Sequence, residues 1–165
     1  MLESLSAFVQ PWADLYAESS WLSTAVLALH VVSLFIGGGF AISADRQLLR
    51  ARTVETPVLA SLLGETESLH PVIIGALALT IISGLGLFAS DVGTFVASPV
   101  FWSKMALLVI LLGNGLLLVQ AERRLLDPAA SARHAGARAT LSLTAGVSLA
   151  SWTLIVLLGV IVGNV

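Results

Sequence analysis

Four apolar runs of about twenty residues or more dominate this 165-residue chain, and every arginine lies between the first and second or between the third and fourth. A helix rises ~1.5 Å per residue and the hydrocarbon core is ~30 Å thick, so each run is long enough to cross a bilayer. The runs cover residues 21–42, 71–90, 99–120 and 140–163. Backbone amides find no water in hydrocarbon and must pair within their own segment, so each run is a helix. Arg46, Arg50 and Arg52 fall in one connection, and Arg123, Arg124, Arg133 and Arg138 in another. Residues 1–20, 91–98 and the C-terminal tail carry neither Lys nor Arg. Positive loops stay cytoplasmic. The expected fold is all-α: an integral membrane four-helix bundle, N-out and C-out, forming one domain over residues 1–165.

Composition narrows the function classes. Charged residues make up 11% of the chain, where a soluble domain carries about 25%. The net charge of −2 and the absence of a basic stripe beside stacking aromatics argue against a nucleic-acid partner. No cysteine is present, which excludes disulfides, thiolate-bound iron–sulfur clusters and covalently attached haem, and leaves a non-covalent b-type haem open. Glu3, Asp14 and Glu18 precede the first run and no basic segment does, so a cleaved signal peptide is not expected. No internal repeat relates the two halves, which disfavours an inverted-repeat transporter.

Turn chemistry marks the helix ends. Thr56-Pro57, Ser98-Pro99 and Asp127-Pro128 each place a capping residue before a proline suited to the first helical turn. The first predicts a cytoplasmic helix over 57–66 that Pro71 kinks or restarts; the last starts the fourth helix well before Arg133. Residues 2–17 set Leu2, Leu5, Phe8 and Val9 on one face, with a break at Pro11, and read as a short amphipathic segment in the outer interface. Trp12, Tyr16, Trp21 and Trp102 form the expected aromatic belt.

Ionisable groups are costly inside a span, so each is a functional candidate. Two qualify: His30 in the first span and Lys104 in the third. Ser33, Gly37 and Ala41 continue the His30 face inward as a stripe of small residues, the kind along which helices approach closely in lipid. Counting from the span ends puts Thr80 and Trp152 at the depth of His30. Two readings stand. In one, a neutral His30 hydrogen-bonds a neighbour such as Thr80 or Ser151 and joins helices. In the other it ligates a haem iron or a metal, with Gly37–Gly39, Gly84 and Gly86 making room for a macrocycle. Met105 is the nearest weak axial partner; His70 lies about 15 Å away along the membrane normal, and His134 falls in the cytoplasmic stretch. Lys104 either snorkels to the headgroups or turns inward to hold a haem propionate, a quinone oxygen or Asp91. Asn114 is expected to hydrogen-bond between helices, and Glu65 and Glu67 to be solvated. Glu67 and His70, at i and i+3, share a face compatible with metal ligation.

The segments LHVVSLFIGGGFAISADRQLLR, SGLGLFASD and SPVFWSKMALLVILLGNGLLL resemble small four-helix bacterial membrane proteins related to the CopD copper-resistance domain and, more distantly, the HemJ-type protoporphyrinogen oxidases. The shared elements are His30, Gly37–Gly39, Arg46, Ser83-Gly84, and Trp102 with Lys104. The resemblance implies a multi-pass protein of the bacterial cytoplasmic membrane and haem b bound with the help of His30 and Lys104. The Asn-Glu-x-Pro segment of the oxidases has no counterpart, so independent catalytic activity is not carried over. Two methionines and no cysteine argue against the copper import linked to CopD-like relatives. Three functions follow in order: a haem-binding, redox-associated membrane protein using His30, Lys104, Met105, Thr80, Trp152 and Arg46, with His30 and His70 as the metal candidates; a non-catalytic subunit of a larger membrane complex or homo-oligomer; and transport of a metal or small solute.

Overall fold

The computed structural model describes residues 2–50, 56–126 and 134–162. Six helices follow one another: α1 (Leu2–Glu18), α2 (Ser20–Arg50), α3 (Thr56–Ser90), α4 (Val92–Ala97), α5 (Pro99–Leu126) and α6 (His134–Val162), with no strand among the described residues. Four of them contain segments long and apolar enough to cross a membrane: Ser20–Arg50, Ser61–Ser90, Pro99–Leu125 and Arg138–Ile161. The protein is an all-α, four-span membrane bundle. Arg46, Arg50, Arg123, Arg124 and Arg138 all lie at one end, and α1, α4 and the end of α6 lie at the other.

Helix α2 packs against α3 and α6, and α6 packs against α5. Apolar burial cannot drive this association when lipid tails are as apolar as the side chains, so close packing of small residues must. The α2 stripe supplies it: Ser33, Gly37, Gly38, Ala41, Ala44, Asp45 and Leu48 are buried along one face. A Cβ on Gly38 would stand 3.1 Å from Cε3 of Trp152, and one on Gly37 would stand 3.5 Å from its Cη2. The two glycines therefore form the notch that seats the indole. Trp152 joins Ala41, Leu111 and Ile155 in a mid-membrane core, and Leu48, Leu63, Ala121, Leu141 and Ala145 form a second core nearer the arginines. Phe35, Val109, Leu116 and Leu143 point outward to the lipid.

Three expectations change. Helix α3 runs without a break through Pro71, so the separate 57–66 helix and the restart do not occur, and the helix that carries the second apolar run begins at Thr56. Neighbouring helices and side chains in a bundle re-satisfy the carbonyl a proline releases. Helix α1 likewise continues through Pro11; that residue is exposed at the interface, where water serves the freed carbonyl. Trp12 leaves the aromatic belt: its indole N–H donates to the Gly86 carbonyl at 2.8 Å and fastens α1 to α3. Trp21 and Trp102 do face outward. The start of α6 ahead of His134 and the second arginine connection over 127–133 lie outside the described residues.

Candidate functional site

The His30 ring is buried between α2 and α3. Its Nδ1 lies 3.0 Å from the Thr80 carbonyl and 3.1 Å from Ser83 Oγ. A carbonyl can only accept, so Nδ1 carries the proton. Ser83 donates its own hydrogen to the Leu79 carbonyl at 2.6 Å, which leaves its oxygen free to share the Nδ1 proton. Thr80 Oγ1 reaches Ser33 Oγ at 3.0 Å, and Ser33 donates to the His30 carbonyl at 3.1 Å. Ring orientation and tautomer are thus set by α2 and α3 together, and the lone pair of a neutral ring sits on Nε2.

That lone pair faces Lys104. The Lys104 Nζ stands 3.5 Å from His30 Nε2, so the lysine turns inward and does not snorkel. A Cβ on Gly159 would come within 3.8 Å of Nζ, and one on Gly84 within 3.1 Å of His30 Cε1. All four spanning helices therefore meet at the pair. About one turn nearer the arginine-free end, Phe88, Phe95 and Phe101 form an aromatic cluster, with Phe88 and Phe101 stacked at 5.4 Å. Asp91, the expected partner of Lys104, caps α4 instead, and its carboxylate accepts from the Thr94 amide at 3.1 Å.

Of the residues singled out in the sequence, His30, Lys104, Thr80, Ser83 and Gly84 come together. Trp152 sits against Gly37 and Gly38, about two turns deeper than His30; the α6 residue level with the pair is Gly159, seven positions later, beside Lys104 Nζ. Met105 follows Lys104 on α5; among the described residues, the hydrogen-bonding contacts of the His30 ring are Thr80, Ser83 and Lys104. Arg46 is exposed at the opposite end. His70 remains about 15 Å from the His30 layer by helical rise, ten residues before Thr80 on α3. The side chain of His134 is outside the described residues. Asn114 does bridge helices, donating to the Thr144 carbonyl at 2.8 Å.

Two acids escaped the sequence reading. Asp45 is 2% exposed and Glu122 is 5% exposed, although both flank arginines. Asp45 faces Ser148, and Glu122 lies beside His70. The signal was periodicity: Asp45 extends the stripe of Gly37 and Ala41 by four residues, and Glu122 extends that of Leu111 and Asn114.

Of the glycines expected to make room for a macrocycle, Gly37 and Gly38 face Trp152, Gly84 faces His30, and Gly86 faces Trp12 and Val26, while Gly39 faces open space. Among the described residues, no three His, Cys, Asp or Glu side chains converge as a metal-ligand set. Comparison with protein-family models, curated proteins and solved structures finds no match to the chain.

Proposed function

We propose that this membrane protein handles protons near its arginine-free face, with His30 and Lys104 as an acid–base pair. The observation that carries the reading is the 3.5 Å approach of Lys104 Nζ to His30 Nε2. One proton lies between two nitrogen bases, and either can hold it: Lys104 as ammonium beside a neutral ring, or His30 as imidazolium beside a neutral amine. The Nδ1–H bond to the Thr80 carbonyl is available in both states, so the ring need not turn when the proton moves. No carboxylate among the described residues forms an ion pair with Lys104. In a low-dielectric site, that leaves the ammonium available to an electron-rich oxygen on an incoming lipid-soluble reactant. This is the acid–base part of the redox-associated function expected from the sequence.

Ring-¹⁵N NMR in lipid nanodiscs tests the reading, because only three histidines need assignment. The expected spectrum shows His30 protonated at Nδ1, and a Lys104→Met variant in which the Nε2 resonance moves while Nδ1 stays. Proton exchange at the site should also slow by roughly tenfold or more in that variant, the loss typical of removing a positioned acid–base group. Unchanged exchange in Lys104→Met would support a purely structural subunit. A Soret band abolished by His30→Ala would replace proton handling with haem binding.

A further inference from the structure

At the opposite end of the bundle, α3 and α5 enclose a cavity of about 100 Å³ lined by Leu63, Glu67, His70, Val119, Glu122 and Arg123. We propose that this cleft binds a divalent transition-metal cation, with His70 Nε2 and Glu122 as two ligands and Glu67 as the third. The site is separate from the His30–Lys104 pair and does not depend on its function.

Distance is the first argument. His70 Nε2 and Glu122 Oε2 are 3.5 Å apart. Two ligands bound at about 2.0–2.2 Å in tetrahedral geometry lie about 3.4 Å from each other, so the two atoms already have the spacing of a shared ion. Missing hydrogen bonds are the second. Among the described residues, His70 Nε2 and Glu122 Oε1 are buried without a hydrogen-bond partner, the nitrogen having only its 3.5 Å approach to Glu122 Oε2. Glu122 is 5% exposed, and a buried carboxylate oxygen and a buried imidazole nitrogen left without partners are costly. One cation satisfies both. The third argument is the cavity's remaining polar lining. Glu67 precedes His70 by three residues and shares its helix face. Pro71 lacks the N–H that the Glu67 carbonyl would accept in an unbroken helix, which leaves a backbone oxygen at the same place. No three such side chains converge already, so Glu67 has to rotate inward, and it is free to do so because it is exposed. Arg123 is the one cation in the lining; it is exposed and stands outside the ligand set. Imidazole with carboxylate suits Zn²⁺, Co²⁺, Mn²⁺ or Fe²⁺, and the absence of thiolate argues against Cu⁺.

Cobalt is the probe. Full-length protein in detergent is stripped with a chelator and titrated with Co²⁺ while visible d–d absorption is recorded. The expected result is saturable binding of one Co²⁺ per chain that Zn²⁺ displaces. Glu122→Gln and His70→Gln should each weaken binding by at least about tenfold, and Glu67→Gln by less; even outer-shell changes reach tenfold at metal sites. His30→Ala should bind as the wild type does. Paramagnetic loss of the His70 ring signal in the wild-type chain reads the same site without any substitution. Absence of saturable Co²⁺ binding, a His70 signal that survives saturation, or wild-type affinity in a helical Glu122→Gln variant overturns the proposal.

Discussion

A methyl group at position 84 has nowhere to go. It would stand 3.1 Å from His30 Cε1 and 3.5 Å from Nδ1, and the ring cannot retreat because Thr80, Ser83 and Lys104 hold it. Gly84→Ala should therefore destabilise the bundle by about 1–3 kcal/mol, the usual cost of overpacking, and shift both His30 nitrogen resonances. Gly39 is the control, since a Cβ there meets nothing within 4 Å. Gly39→Ala should be neutral or gain up to about 1 kcal/mol from helix propensity. Reversible unfolding in mixed micelles measures both, and equal effects at the two positions would contradict the packing described for His30. The importance of His30 and Lys104 was legible in the sequence, because an imidazole and an ammonium interrupt otherwise apolar runs. Their contact was not. It depends on the rotation of α2 and α5 about their own axes, and mostly apolar helices carry little periodic signal to fix that rotation.

Among the elements, α4 has only six residues and depends on its ends. Asp91 accepts from the Thr94 amide, and Ser98 closes the other end by donating its backbone N–H to the Phe95 carbonyl. These Thr94 bonds hold the Asp91 carboxyl below its ordinary range. A depressed carboxylate contributes stability that is present above its unfolded value of about 3.9 and is lost as pH falls through the lower folded value. At neutral pH Asp91→Ala should cost the cap about 1 kcal/mol or less, and Asp91→Asn should keep most of it. Faster hydrogen exchange at the Thr94 amide in the alanine variant alone is the measurement; equal protection in both variants would remove the capping role. A second element test concerns α1. Trp12→Phe keeps the ring and loses the bond to the Gly86 carbonyl, so α1 should loosen by about 1 kcal/mol and its amides exchange faster, while those of α2 do not. The Ser98 hydroxyl accepts from the Phe101 amide at 3.4 Å, and that capping role was readable from the Ser98-Pro99 pair. The buried Asp45 and Glu122 were not, because an acid beside an arginine usually lies in solvent and only the stripe through Gly37 and Ala41, or Leu111 and Asn114, shows otherwise.

Taken as a whole, the molecule sets five ionisable groups in two layers with an apolar one between them. His30 and Lys104 occupy the first; Asp45, His70 and Glu122 occupy the second; and Trp152, Leu111 and Ile155 fill the space between with Ala41. On α3 the two histidine layers are about 15 Å apart by helical rise. No chain of hydrogen bonds among the described residues links them, so each layer exchanges with the compartment at its own end. Sidedness therefore decides which compartment each layer faces. By the positive-inside rule, the arginine distribution predicts that the cleft lined by Glu67, His70 and Glu122 faces the cytoplasm. The chain has no cysteine, so single-cysteine variants report position without background. Glu3, Thr94, Glu65 and Gly136 are all exposed, the first two at the arginine-free end and the last two at the other. In intact spheroplasts a membrane-impermeant maleimide should label Glu3→Cys and Thr94→Cys, and should label Glu65→Cys and Gly136→Cys only after permeabilisation. The opposite pattern would reverse the compartments of both layers while preserving the bundle. Labelling that separated Glu3 from Thr94 would contradict the four-span arrangement itself, because α1 and α4 share one end only if α2 and α3 each cross once.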